Sequence, residues 1–350
     1  MVSPTIRPNE LFEKCKVLQL SPLLSIRSVI GEVINYVMAF GVEERKKVLF
    51  ELFRNHHLKR TKTAKNLDEL RKIAAEFDAV IVGSDQIWNP EFLKYSDFSY
   101  LLPFILGKVR KIAFSASLGV DDVSLISQRM VKIYELCLKD FNFISLRERC
   151  HINFLSRITG KKIYHTIDPT LLVDIESYNS LCATSFKIPF NRYIFAYNLD
   201  PSILPLADEL SKELGLPLVI YRKPRIFPLH ERLYHSKRLN RKMSVEYVDP
   251  CRFLNVFKNA DFIITNSYHG TILSIIFEKP FVTVACGIAS KTVSRITDLL
   301  ELLGLDQRII VHRNELRDSL RREINFKDVK NKLNKYRKIS LNLLESALYW

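Results

Sequence analysis

The chain has 350 residues, of which 53 are Lys or Arg and 38 are Asp or Glu, so its formal net charge is +15. Hydrophobic residues make up 47% and no periodic repeat runs through the sequence, which is typical of a globular protein and excludes disordered, collagen-like and coiled-coil chains. The two most apolar stretches are interrupted by charged and polar residues, so neither predicts a transmembrane helix.

Residues 1–60 have a mostly helical pattern, and no glycine-rich turn follows a strand there. Beyond them, short apolar runs predict strands in both halves of the chain. These are Asp78–Gly83, Lys111–Ser115, Asn142–Leu146, Ile163–Ile167, Tyr193–Tyr197, Pro217–Tyr221, Asp261–Thr265 and Phe281–Ala285. Because the runs are continuously apolar and do not alternate, they indicate strands buried on both faces of parallel sheets.

Helical segments separate the strands. They are predicted at Leu67–Glu76, Ser124–Leu138, Ser202–Leu214, Arg252–Lys258 and Thr271–Phe277. This alternation predicts the α/β class with right-handed crossovers. We expect a helical N-terminal segment at 1–60, two Rossmann-like domains at 61–185 and 190–320, and a C-terminal helix at 325–350. That last helix is basic on one face and is expected to pack back across the joint near Pro189.

The most distinctive polar cluster follows the predicted strand that ends at Thr265. It consists of Ser267, Tyr268, His269, Gly270 and Thr271, and an apolar helix comes next. Ligands of open α/β sheets bind beyond the carboxyl ends of strands, and free N–H groups at a helix start attract anions. His269 is a candidate acid or base there, because the charge of histidine changes near neutral pH. Gly270 is expected to let the backbone turn sharply here. The alternative is a capping turn with a surface histidine.

A second cluster follows the first predicted strand. It contains Ser84, Asp85, Gln86 and Asn89. A turn in which Asp and Asn bond their own backbone explains Asp85 or Asn89 singly, but it explains Gln86 beside them less well.

Cations follow two more strands. Arg147 comes directly after the third predicted strand, where its planar guanidinium suits a carboxylate or phosphate; an ion pair with Glu148 is the alternative. Lys291 and Arg295 follow the last predicted strand at a spacing of four, so they are expected to share a helical face and to hold a phosphate near His269. The other interpretation of Lys291 and Arg295 is a solvated helix start.

Asp168 begins a turn and is expected to cap it.

The remaining features predict no further site. The six cysteines are scattered without a Cys-x-x-Cys pair, so no zinc site is expected. The basic stretch Arg222–Lys242 is expected to be an exposed loop without a catalytic role. The aromatic residues form no RNA-binding signature, so no nucleic-acid partner is predicted, and an anionic small substrate or an anionic membrane surface accounts equally well for the charge.

Several stretches, in this order, resemble the polysaccharide pyruvyl transferase family. They are Asp78–Pro90, Lys111–Gly119, Ile144–Glu148, Asp168–Leu172, Asn259–Thr271, Lys279–Val282 and Ser294–Leu305, and the resemblance covers residues 50–310. Each stretch is weak evidence singly, and their joint order and spacing carry the resemblance.

This resemblance implies a GT-B-like arrangement and the transfer of a pyruvyl group from phosphoenolpyruvate to two hydroxyls of a glycan or lipid-linked oligosaccharide, forming a ketal. It implies no metal and no tightly bound cofactor. By this similarity His269 is the acid or base, and Arg147, Lys291 and Arg295 form an anion clamp. The other residues of the two polar clusters are expected to bind substrate.

One departure from the family concerns the start of the chain. Family members begin with a strand and a Gly/Asn-rich turn that have no counterpart in Met1–Arg60, which leaves an inactive, N-terminally truncated member open. A GT-B nucleotide-sugar glycosyltransferase is a further alternative, although only Glu278 and Glu301 offer it a ribose-binding carboxylate. The first residues do not form a signal peptide, so a cytoplasmic location is expected, with peripheral contact to the inner membrane face left open.

Overall fold

A computed structural model describes residues 47–93, 98–182, 188–197, 203–222, 242–246, 249–285 and 293–349. Ten strands in this part of the chain form two parallel sheets. The strands are β1 (Ala79–Val82), β2 (Arg110–Ala116), β3 (Phe143–Leu146), β4 (Tyr164–His165), β5 (Ile194–Tyr197), β6 (Leu218–Arg222), β7 (Lys242–Glu246), β8 (Phe262–Thr265), β9 (Phe281–Val284) and β10 (Ile309–Ile310).

The first sheet has the order β1-β2-β3-β4, with every neighbouring pair parallel. The second has the order β10-β9-β8-β5-β6-β7, again all parallel. Counted from β5, this is the 3-2-1-4-5-6 order of the Rossmann fold, and the strand order reverses between β5 and β8. The crevice at this reversal is where such sheets bind ligands, and the residues after Thr265 lie at its edge.

Helices cover both sheets. They are residues 47–57, Leu67–Ala74, Pro90–Leu93, Gln128–Leu138, Ile152–Thr159, Ile175–Leu181, Leu204–Leu214, Pro250–Asn259, Tyr268–Ile276, Ser294–Leu303, Glu315–Arg321 and Phe326–Tyr349. Asp249 and Ser127 show why two of these begin where they do, because each side chain accepts a hydrogen bond from the backbone N–H three residues later. None of the helices described here combines the length and hydropathy that a membrane crossing requires.

The last helix, Phe326–Tyr349, joins the two halves of the molecule. Its Leu333 and Leu344 lie in one hydrophobic cluster with Phe114 of the first sheet and Phe281 of the second. Arg337 on the same helix donates hydrogen bonds to the carbonyl oxygens of two residues near the end of the first half, Leu171 and Val173. The expected return of the C-terminal helix across the joint is therefore present.

The eight predicted strands are present, and two edge strands were not predicted. β10 is only two residues long, and β7 begins at Lys242, which we had placed at the end of an exposed loop; residues 223–241 of that predicted loop lie outside the described residues. β7 alternates polar and apolar residues, as is common for a strand covered on fewer sides, and β10 is too short to give a recognisable apolar run.

Candidate functional site

The candidate site lies where the carboxyl ends of the two sheets face each other. Arg147 follows β3 of the first sheet and Tyr268 follows β8 of the second, and the guanidinium carbon lies 4.5 Å from the centroid of the tyrosine ring. Asp168 and His269 form a second contact across the same boundary, with 4.0 Å between Oδ2 and Nε2. Both sheets therefore contribute side chains to one cluster.

Arg147 is buried and surrounded by carboxylates. Its Nη1 donates to Asp168 Oδ2 at 3.2 Å, and its Nε and Nη2 donate to Glu148 Oε1 and Asp85 Oδ1, each at 3.4 Å. Only 1% of its side chain is exposed. Burial acts to lower the pKa of Arg147, but Tyr268 and the three carboxylates outweigh it and raise the pKa, so the group stays charged.

The ion pair that the sequence left open for Arg147 is therefore present. All three guanidinium nitrogens of Arg147 face carboxylates of the protein, so the structure places this residue beneath the site and not on its open surface. Its partner Glu148 also accepts a hydrogen bond from the buried Ser117 hydroxyl. Burial raises the pKa of Glu148, and the nearby cation and hydroxyl offset this only in part.

Asp168 is the hub of the buried cluster. Its Oδ1 accepts hydrogen bonds from the backbone N–H and the hydroxyl of Thr170, which fulfils the expected capping role. Its Oδ2 accepts a hydrogen bond from Arg147 and faces His269. Capping thus accounts for only one of the two carboxylate oxygens.

His269 lies in the first turn of the helix Tyr268–Ile276, which begins three residues earlier than predicted. Ser267 caps this helix by accepting a hydrogen bond from the Gly270 N–H at 3.3 Å. The His269 side chain is 42% exposed, so a ligand in the cleft has access to it. It is neither buried in the apolar core nor remote from the cationic groups.

Gly270 does not form the sharp turn that we predicted. It is helical, and a Cβ there would overlap Thr265 Oγ1 and would lie 2.8 Å from Tyr197 Cδ1. The glycine is required because the helix packs directly against the ends of β5 and β8. Thr271 is also a packing residue: its hydroxyl donates to the Ser267 carbonyl and lies 2.8 Å from Thr283 Oγ1.

Tyr268 contacts two cations and is 4% exposed. The Arg147 guanidinium lies over its ring at 4.5 Å, and the Arg295 guanidinium lies 5.7 Å from its centroid. Burial raises the pKa of Tyr268 well above its usual value, with a further contribution from Asp168. The phenol is therefore neutral and contacts two cations, and its burial does not favour the substrate contact that the sequence predicts.

The cluster after β1 divides into exposed and packed members. Asp85 is exposed; burial acts to raise its pKa, but the hydrogen bond from Gln86 N–H and the charges of Arg147, His269 and Arg295 lower it overall. Ser84 is half-buried beside it. These two residues and His269 make up the accessible rim of the site.

Gln86 and Asn89 point towards the protein. When the Gln86 side-chain amide is oriented with its oxygen towards Arg295, this oxygen accepts a hydrogen bond from Arg295 Nη2 at 3.1 Å. Asn89 is buried and its Nδ2 donates to the Gly119 carbonyl at 3.2 Å, so it braces the turn and does not line the cleft. Lys291 lies outside the described residues; the helix that carries Arg295 begins at Ser294.

The helix Ser294–Leu303 is anchored to the first sheet's half of the molecule. The carboxylate of Asp121 accepts hydrogen bonds from the N–H groups of Val293 (2.9 Å) and Ser294 (3.0 Å) and so caps the helix from outside its own half. One turn along, Arg149 pairs with Asp298 at 3.2 Å and with Glu301 at 2.9 Å. These contacts fix the position of Arg295.

Sequence reasoning overlooked two polar residues of this region, Ser117 and Asp121. It named Glu148 only as an alternative ion-pair partner of Arg147, and Asp168 only as a cap. Ser117 and Asp168 also stand just past strand ends, so the rule that selected the other candidates could have found them. The contacts that Asp121 and Asp168 make across the two halves, with the start of the helix at Ser294 and with His269, could not be read from the sequence.

The family of the chain follows from a sequence comparison. A family model for polysaccharide pyruvyl transferases matches residues 28–288, which is more than half of the chain. The match begins upstream of the stretches quoted above and reaches into the N-terminal segment. No functionally curated protein matches the sequence.

Solved structures support the fold. UDP-GlcNAc 2-epimerase from Methanocaldococcus jannaschii has a TM-score of 0.53 at 13% identity, over 81% of this chain and 83% of that one. The Neisseria meningitidis UDP-GlcNAc 2-epimerase bound to UDP-GlcNAc has a TM-score of 0.53 at 12% identity, over 87% of this chain and 90% of that one. At such low identity the likeness concerns the fold alone, and it confirms two α/β domains in a GT-B-like arrangement.

Proposed function

The chain belongs to the polysaccharide pyruvyl transferase family and is a transferase, and we propose that it moves a pyruvyl group from phosphoenolpyruvate to two hydroxyls of one sugar. The acceptor is a surface polysaccharide or a precursor of it, either a free glycan or a lipid-linked oligosaccharide. The product is a cyclic pyruvate ketal, and inorganic phosphate is released.

The observation that carries this proposal is the position of His269. Its accessible imidazole lies at the helix start beyond β8, 4.0 Å from a buried carboxylate and within the cluster that holds two guanidinium groups. A proton donor beside fixed positive charge is what a doubly anionic enol ester requires.

The reaction balances with one proton donor and two hydroxyls. His269 gives a proton to the methylene carbon, which becomes a methyl group, and the adjacent carbon becomes an oxocarbenium-like centre. A sugar hydroxyl oxygen bonds to that centre, and its proton returns to His269. The C–O bond to the phosphate then breaks, and phosphate leaves with the bonding electrons. The second hydroxyl oxygen bonds to the same carbon, and its proton goes to the departing phosphate.

The other side chains have supporting roles in this proposal. Arg295 and the positive end of the helix at His269 attract the phosphate and carboxylate of the donor. Arg147 acts from beneath, where it holds Asp168 and Asp85 in place. Ser84 and Asp85 form the rim that the acceptor sugar approaches. Lys291 remains a predicted member of the anion clamp.

Phosphate release tests the function directly. Purified protein is incubated with phosphoenolpyruvate and a candidate glycan, and the ketal methyl group is followed by NMR. His269→Ala should lower the rate about 10²–10⁴-fold, the usual share of a general acid. His312→Ala, an exposed histidine remote in sequence from the cluster, is the matched control and should retain full activity. Undiminished turnover in His269→Ala would remove this residue from the mechanism.

Shifts in melting temperature distinguish the proposed pyruvyl transferase from a nucleotide-sugar glycosyltransferase of the same fold. Phosphoenolpyruvate should raise the melting temperature, whereas nucleotide sugars should not, because a ligand that binds only the folded state stabilises it. The opposite pattern would favour nucleotide-sugar transfer.

The enzyme is proposed to act in the cytoplasm, where its donor is a metabolite, and to contact the anionic inner membrane face. The last helix exposes Lys327, Lys330, Lys335 and Lys338, and each lysine near such a surface contributes about 1 kcal/mol. In flotation at low salt, the protein should rise with phosphatidylserine vesicles and not with neutral ones. Equal recovery with both would contradict this contact.

A further inference from the structure

We propose that Asp168 is a positioning residue that keeps the neutral form of His269 protonated at Nε2, so that Nδ1 is the nitrogen that exchanges a proton with the substrate. This inference rests on the proposed function for its catalytic meaning, but the tautomer itself is a property of the unliganded protein.

The first argument is the way in which Asp168 is held. The carboxylate is 1% exposed, and its Oδ1 is occupied by the N–H and hydroxyl of Thr170. Arg147 Nη1 lies 3.2 Å from Oδ2, on the side that faces His269. Arg337 binds the carbonyl oxygens of Leu171 and Val173, just beyond the same turn. The carboxylate therefore has little freedom to move away from the imidazole.

The second argument is which nitrogen faces it. His269 Nε2 lies 4.0 Å from Asp168 Oδ2, which is an ion-pair distance and somewhat long for a hydrogen bond. Such contacts commonly tighten when a substrate binds. A carboxylate next to one ring nitrogen favours a proton on that nitrogen, because the N–H dipole then points at negative charge. The other nitrogen, Nδ1, is left for the substrate.

The tautomer has a consequence for the proposed reaction. After Nδ1 has given its proton to the methylene carbon, the imidazole is neutral and bears its remaining hydrogen on Nε2, the form that Asp168 stabilises. The same carboxylate offsets the charge of the imidazolium before the transfer. Asp168 thus acts through His269 and does not itself touch the donor.

A purely structural role is the competing explanation, because Asp168 also caps a turn and pairs with Arg147. The matched control is Asp174, which caps the helix Ile175–Leu181 by accepting from Ser177 N–H and has no contact with His269. Asp174→Asn removes a capping charge six residues away and leaves the imidazole contact intact.

The first experiment reads the tautomer by ¹⁵N NMR of labelled protein at a pH where the His269 signals report the neutral ring. The wild type and Asp174→Asn should give a protonated-type shift at Nε2, and Asp168→Asn should move the proton towards Nδ1. A wild-type ring protonated at Nδ1 would overturn the proposal whether or not any variant folds, and so would an unchanged tautomer in folded Asp168→Asn.

The second experiment uses turnover of phosphoenolpyruvate. Asp168→Asn should lower kcat by about 10–10³-fold with a smaller change in KM, and should cause no further loss in a His269→Ala background. A full additional loss in that background would show that Asp168 does not act through His269. If the wild type does not turn over phosphoenolpyruvate at all, the proposed function fails while the NMR result still decides the role of Asp168.

Discussion

Arg147 and Tyr268 follow strands of different sheets, yet the guanidinium carbon of Arg147 lies 4.5 Å from the centroid of the Tyr268 ring. The contact places a cation of the first half against the first helical residue after β8, directly before His269. The cluster is thus shared by both halves, and its electrostatics depend on their packing. The carboxylates around Arg147 make this residue a source of stability as well as of charge.

Arg147→Met should lower the free energy of unfolding by about 3–5 kcal/mol, because it leaves buried carboxylates without their cation. Urea denaturation followed by circular dichroism measures this loss. Arg192→Met is the control: Arg192 pairs with Asp261 at 2.8 Å but is 70% exposed, so its loss should cost no more than about 1 kcal/mol. Similar losses in the two variants would contradict the buried network.

Asp121→Ala should destabilise the protein by about 1 kcal/mol, the usual cost of a lost helix cap. The neighbouring Asp122 is a matched control, since it caps only its own turn by accepting from Ser124 N–H. Hydrogen exchange should become faster at the amides of Val293 and Ser294 in Asp121→Ala, but should remain unchanged there in Asp122→Ala. Equal exchange in both variants would mean that the cap between the two halves does not form in solution.

Gly270→Ala should destabilise the protein by about 1–3 kcal/mol, because the added methyl group has no room between Thr265 and Tyr197. Thermal unfolding measures the change. In a Thr265→Ala background, which removes the nearer of the two obstructing side chains, the same substitution should cost less. A Gly270→Ala variant as stable as the wild type would place the helix farther from β5 and β8 than described.

Cys150 should react slowly with iodoacetamide at pH 8 although it is exposed. The residue as a whole is exposed, but neighbouring atoms shield its thiol in part from water; this desolvation, followed by the charge of Asp298, raises the pKa of Cys150 to about 11. The thiolate fraction then falls about 100-fold relative to a thiol of pKa 9, while higher nucleophilicity restores about tenfold, so labelling should be about tenfold slower than for an ordinary thiol.

Peptide mass spectrometry at several pH values measures this labelling. Because the reactive thiolate is lost below its pKa, the rate should keep rising with pH up to about 11. Asp298→Asn should speed the reaction at pH 8, and Asp306→Asn, on the turn after the same helix, should not. A rate plateau near pH 9 would contradict the raised pKa.

Much of the fold could be predicted because its central strands are buried on both faces. β8 and β9 are buried throughout, and apart from Thr265 and Thr283 their residues are apolar. The same reasoning could not find β7 and β10 at the sheet edges. The start of the helix at Tyr268 was also missed, because Tyr, His and Gly have no strong helix preference and the Ser267 cap decides the boundary.

The sequence predicted which positions along the chain contribute to the site, but not how their side chains are arranged. Residues just past strand ends included Arg147, Asp168 and His269, and the structure brings these three together around one carboxylate oxygen. Which of these side chains are exposed depends on how the two sheets pack against each other. That packing brings together residues far apart in the chain, so it cannot be read from local sequence patterns. The family resemblance implies an open clamp for Arg147, whereas its guanidinium is enclosed by the protein's own carboxylates. One of these is Glu148, the ion-pair partner that the sequence offered as the alternative.

The hold of Arg337 on Leu171 and Val173 ties the end of the chain to the turn that begins at Asp168. A substitution of Arg337 should therefore look like an active-site defect in a complementation screen. Arg337 lies more than 160 positions away in the sequence from that turn. Genetic mapping of loss-of-function alleles in this protein should weigh the final helix equally with the cleft.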